Sequence, residues 1–222
     1  MFTKLRRMVL AVALADMAIA SVGFAAHTGT VHNVPADQAA ARTAILHLSD
    51  FASGYGWKQV HPPASTGTGS GSGSSCSTDG ADFVQTGHAA STFAVPGFFI
   101  HSEASVMQTA GMVRDDWHRT VGPALLACFR NAIATGFGRR SKIVSVAPFA
   151  FPQITAHTKA YRVVVDYTLP SGGGVRFNCD AVLIGHGRTE LTLLQAAPSG
   201  AAAVVKSAEI RMATMLVARM RA

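Results

Sequence analysis

The chain has 222 residues, a formal charge of +7 and three cysteines, and is 49% hydrophobic and 14% charged. This length buries a core without help from disulfides, and the composition excludes a highly charged disordered chain. The basic residues are scattered, with short clusters at Arg139-Arg140-Lys142 and along Lys206, Arg211, Arg219 and Arg221. No basic run is interleaved with aromatics, which excludes nucleic acid as the expected partner.

The N-terminus sets the compartment. A basic Met1–Arg7 segment precedes the apolar run Met8–Ala15, and small residues follow at Ala18-Ile19-Ala20 and Gly23-Phe24-Ala25-Ala26. This is the build of a secretory signal peptide, assigned to residues 1–26. The rival reading, an uncleaved anchor over Met8–Ala26, places Asp16 in the bilayer at a cost on the order of 3 kcal/mol. No cysteine closely follows the apolar run, which argues against a lipoprotein. Removing residues 1–26 of 222 leaves 196; Lys4, Arg6, Arg7 and Asp16 are lost with them, and the charge falls to +5. The mature chain is therefore expected outside the cytosol, where thiols pair. Its positive charge serves solubility and makes an anionic envelope component or a lipid the candidate partner.

The mature region, 27–222, reads as a single α+β domain. After a lead-in over 27–34, a helix is expected from Pro35, with Ala39, Ala40, Thr43, Ala44, Leu46 and Leu48 as its apolar stripe. Gly54-Tyr55-Gly56-Trp57 then forms a turn carrying two aromatics. The tract Ser65–Ser75 consists entirely of Gly, Ser and Thr and reads as a disordered loop. An extended segment is expected over Phe93–Val106. A helix follows, with Val113, Trp117, Val121, Leu125, Cys128 and Ile133 on one face and a kink or restart at Gly122-Pro123.

Strands are predicted over Lys142–Phe151, Ala160–Leu169, Val175–Ile184 and Thr189–Gln195. The Gly-rich connectors Ser171–Gly174 and Gly185–Arg188 make the last three antiparallel hairpins. Alternation puts Tyr161, Val163, Val165 and Tyr167 on the same face as Phe177, Cys179, Ala181 and Leu183, which requires a loop of odd length. A three-residue loop over Ser171–Gly173 pairs Val165 with Cys179 and Asp166 with Asn178. It is preferred because the alternative considered, a five-residue loop, sets Asp166 against Asp180. The chain ends in a helix over about Ala201–Met220, its stripe Val205, Ala208, Met212, Met215 and Leu216 directed at the sheet. Together these elements make an antiparallel sheet of about five strands with helices packed on it.

No catalytic motif emerges. No Gly-x-Ser-x-Gly elbow and no Gly-x-Gly-x-x-Gly between strand and helix is present. The spacing of Cys and His matches no zinc site, so neither metal nor cofactor is expected. His118, beside Asp115 and Asp116, would become a hydrolase candidate only if buried next to an acid in a cleft. Cys179 shares an apolar strand face, which suits a buried free thiol. Three pairings are formally possible; Cys76–Cys128 is expected, closing about fifty residues for on the order of 4 kcal/mol.

Ala44–Phe51 with Gly56-Trp57, Trp117–Val121 with Leu126-Ala127-Cys128, and Ala160–Val163 with Val182–Thr189 carry a resemblance. The pattern resembles uncharacterised secreted proteins of high-GC Gram-positive bacteria. More distantly, it is similar to the extracellular sensor domains of mycobacterial-type receptor kinases and to PsbP-like lipoproteins. The resemblance implies a PsbP-like fold, an antiparallel sheet with helices on its faces, and no catalytic signature. Two disulfides are usual in those sensor domains; the odd cysteine here departs from that. The expected function is a secreted, non-enzymatic, sensor-like binding module, its ligand held between the sheet and a helix or the Gly/Ser loop. Tyr55, Trp57, Trp117 and Arg162 are the candidate ligand contacts. The alternatives are an extracellular hydrolase and a structural envelope protein without a small ligand.

Overall fold

The computed structural model describes residues 30–60, 83–122, 125–131 and 140–221. The leader, the Ser65–Ser75 tract and Cys76 lie outside the described residues. The elements in order are β1 (Thr30–Val31), α1 (Pro35–Thr43), β2 (Lys58–Gln59), β3 (Val84–Val95), β4 (Phe98–Met107) and α2 (Ala110–Thr120). They are followed by α3 (125–131), β5 (Ser141–Pro148), β6 (His157–Thr168), β7 (Gly174–His186), β8 (Thr189–Pro198) and α4 (Ala202–Arg221).

The eight strands among the described residues form one open sheet in the order β1-β3-β4-β8-β7-β6-β5, with β2 on the outer edge of β3. Every pairing is antiparallel except β1 with β3. The expected count of about five strands is corrected to eight among the described residues. Two of the additional strands are two-residue edge pieces. The third arises because Phe93–Val106 is no single extended segment: it contains the Pro96-Gly97 turn of a long β3–β4 hairpin.

Both faces of the sheet are covered. On one face α1 and α4 enclose Ala41, Ile45, Leu46, Phe93, Ile100, Val182, Leu193, Ala213 and Leu216. On the other, α3 and the edge of α2 close over Tyr161, Val163, Val165, Phe177, Cys179, Ala181 and Leu183. The predicted coincidence of the β6 and β7 faces is therefore observed. Double coverage also explains why β7 is buried almost continuously from Phe177 to Gly185.

The β6–β7 register differs from the three-residue reading. Thr168 pairs with Gly174, so the loop is 169–173, five residues long; Val165 faces Phe177 and Val163 faces Cys179. In this register Asp166 faces Arg176 and Asp180 faces Arg162. Arg176 Nε and Nη2 reach the Asp166 carboxylate at 2.7 and 2.9 Å, and Arg162 Nε and Nη2 reach Asp180 at 2.6 Å each. Opposite charges across the ladder favour it over a register that merely keeps two aspartates apart.

The chain between α1 and β2 is fastened at several points. Ser102 Oγ accepts from Leu46 N at 2.9 Å, and Ser91 Oγ donates to Leu46 O at 2.7 Å. Asp50 accepts from His47 N at 2.8 Å and from Arg219 of α4 at 3.0 Å, and Arg219 also donates to Ile45 O. Under α1 the β3 backbone approaches so closely that a Cβ on Gly87 would overlap the Asp37 carbonyl.

Candidate functional site

One antiparallel row crosses five strands beneath α4. Arg162 of β6 faces Asp180 of β7, Asp180 faces Gln195 of β8, Gln195 faces Ile100 of β4, and Ile100 faces Phe93 of β3. Cross-strand partners project to one face, so this row is the floor under the helix. Its character changes along its length, from an ion pair through an amide to an aromatic cluster.

At the aromatic end, the fastened segment after Asp50 places Phe51 against both Phe93 and Trp57, with ring centroids 4.9 and 4.6 Å apart. Gly56 has φ +69°, a conformation that costs glycine nothing and lets the chain turn between Tyr55 and Trp57. Between this cluster, the floor and α4 lies a cleft of about 490 Å³. Phe51, Tyr55 and Trp57 line one side, Phe98, Ile100 and Gln195 the floor, and Val205, Ala208, Met212 and Met215 the α4 side. Tyr55 and Val204 stand at its edge 75% and 76% exposed. The volume lies within the range of small-molecule sites, about 300–1,000 Å³.

The predicted α4 stripe is thus divided. Ala208, Met212 and Met215 line the cleft, Glu209, Ala213, Leu216 and Val217 are buried on the sheet, and Val205 is buried at the boundary and lines the cleft as well. Glu209 is wholly buried, and neither carboxylate oxygen has a hydrogen-bond partner among the described residues. Burial first, then the nearby Asp180 carboxylate, raises its pKa from 4.5 to about 8, against the pull of Arg162 and Lys206. Arg162 has spent two donors on Asp180, and the buried Glu209 is easier to keep protonated than to charge. Gln195, 8% exposed, likewise has an Nε2 without a hydrogen-bond partner among the described residues.

The four candidate contacts do not converge. Tyr55 and Trp57 share the cleft. Arg162 lies on the same face at the far end of the row, its guanidinium 4.8 Å over the Phe149 ring. Trp117 packs on the opposite face, its ring 5.2 Å from that of His157, beside a recess of only about 40 Å³. Gln195 and Arg211, which also line the cleft, escape a sequence reading because strand register and helix phase bring them there.

A second polar cluster occupies that opposite face. Glu103 is buried with His88 Nε2 at 2.8 Å and His101 Nε2 at 3.7 Å, the second an ion-pair distance and not a hydrogen bond; Thr92 Oγ1 lies 2.8 Å from His101 Nδ1. Burial works against the Glu103 charge, but the imidazoles of His101 and His88 hold its pKa at about 2. A carboxyl so firmly ionised is unsuited to act as a general acid. His118 is exposed. Among the described residues no group of three or more His, Cys, Asp and Glu side chains is placed to hold a metal. Cys179 is a free, buried thiol whose pKa burial raises. No helix among the described residues is long and apolar enough to cross a membrane. No protein-family model, curated protein or solved structure matches this chain.

Proposed function

We propose that this chain is a secreted, non-enzymatic binding module that holds a small, largely apolar ligand in the cleft between α4 and the sheet. The observation that carries the reading is the cleft itself. It is of ligand size, walled by aromatic and methionine side chains, and flanked by exposed Tyr55 and Val204. An apolar ligand would cover this surface and gain roughly 25 cal/mol per Å² removed from water. The signal-like leader and the resemblance to extracellular sensor domains support the same reading.

The hydrolase alternative draws no support from His118, which projects into solvent. A purely structural envelope role would suit a filled interface, and the open cleft weighs against it. The Cys76–Cys128 bridge belongs to this proposal; the free, buried state of Cys179 supports it. Native mass spectrometry of protein exported by a related host tests the reading. A stoichiometric adduct released on denaturation is expected; a bare mass that stays bare after incubation with single-chain lipids would overturn it.

A further inference from the structure

We infer that the ligand is a single-chain amphiphile with a carboxylate head, a deepening that rests on the binding-module reading. Two side chains that line the cleft point to it, one a buried amide with a spare donor and one an exposed cation. Gln195 is more than nine-tenths buried on the floor, and its Nε2 has no hydrogen-bond partner among the described residues. Leaving such a donor buried and unpaired is unfavourable, so a site that retains one is suited to an oxygen acceptor brought by a ligand. Arg211 lines the same cleft from α4, is exposed, and has no acidic partner among the described residues.

The other charges at the cleft are already matched. Asp50, also on the wall, is held by Arg219 and by the His47 backbone N–H. Among the described residues Arg211 is therefore the one uncompensated charge on the wall, and it is positive. A carboxylate at −1 matches it, whereas a phosphate monoester carries about −1.5 to −2 at neutral pH and exceeds it. The rest of the lining is apolar, with Phe98, Ile100, Met212 and Met215 available to an alkyl chain.

Calorimetric titration of the whole mature protein at pH 7.5 with decanoate, decanol and decyl phosphate tests this. Decanoate is expected to bind about tenfold more tightly than decanol, the size of one charge-assisted contact. Arg211→Ala should bring that ratio close to one, Arg211→Lys should retain most of it, and Gln195→Met should weaken decanoate several-fold. The ratio is read within each variant, so a general loss of affinity does not imitate the effect. Decanol binding as tightly as decanoate, or a ratio that survives Arg211→Ala, overturns the carboxylate assignment and leaves the binding-module reading standing. Decyl phosphate binding more tightly than decanoate overturns the assignment in favour of a phosphate head. Binding of none of the three overturns both.

Discussion

Replacing Glu209 with glutamine should make the protein more stable at alkaline pH while changing little in acid. The folded chain holds the Glu209 proton up to about pH 8, whereas the unfolded chain releases it near 4.5. Between those values the folded state binds the extra proton, so wild-type stability falls as pH rises, by up to about 1.4 kcal/mol per pH unit. Below about pH 4.5 both states are protonated and the contribution is fully present; by pH 8 it is lost. Across the window the loss is on the order of 5 kcal/mol, comparable with the whole stability of many domains. Glutamine has no such proton. The two proteins should differ by about 1 kcal/mol or less at pH 4, and the variant's advantage should grow steadily to pH 8.5. Guanidinium unfolding at half-unit pH steps measures the difference, in which the titrations shared by both proteins cancel. A difference that stays constant from pH 5 to 8.5 would refute the reasoning, for it would mean that Glu209 ionises as an exposed carboxyl does.

Three further outcomes follow from the same packing. Arg162→Met should destabilise the fold by about 3–5 kcal/mol at pH 7, because Asp180, 2% exposed, would be left charged and unpaired; the Arg162→Leu/Asp180→Leu double variant should recover much of that loss in thermal unfolding. Gly87→Ala should cost about 1–3 kcal/mol by pushing α1 off β3, read as a fall in Tm with the cleft distant from the change. In unreduced protein, iodoacetamide should leave Cys179 unmodified under native conditions and alkylate one thiol after denaturation; before alkylation, the denatured unreduced protein should weigh about two daltons less than its reduced form. Three alkylated thiols without a reductant would exclude the Cys76–Cys128 bridge.

What the sequence made legible was what period and punctuation encode. The alternation in Tyr161–Tyr167 and Phe177–Leu183 assigns both strand faces, and the glycines at 172–174, 185 and 187 locate both hairpins. Like-charge repulsion alone does not fix the β6–β7 register; attraction of Arg162 to Asp180 and of Arg176 to Asp166 does. Strand β3 was hidden by composition. Its centre, Gly87-His88-Ala89-Ala90-Ser91, is poor in β-branched residues, and its small side chains suit close approach by α1 and by the Leu46 backbone.

The α4 reading shows a different limit. The stripe Val205-Glu209-Ala213-Leu216 has helical spacing as regular as the one read from the methionines, but a glutamate within it looks like a solvated position. Half of the cleft was visible in the Tyr55–Trp57 turn. The remainder comes from Phe98, Ile100, Gln195 and the α4 methionines, segments far apart in the chain that only the strand order β3-β4-β8 brings together.

The cleft is tested most directly through its own tryptophan. The chain has two, and Trp117 lies on the opposite face. In Trp117→Phe, Trp57 alone reports, and titration with the neutral apolar fluorophore N-phenyl-1-naphthylamine should quench its emission saturably at one equivalent. Ala208→Phe, which narrows the cleft from the α4 side, should abolish that saturation in the same background. Quenching that rises without saturation, or a saturable signal untouched by Ala208→Phe, would contradict a ligand site between α4 and the sheet.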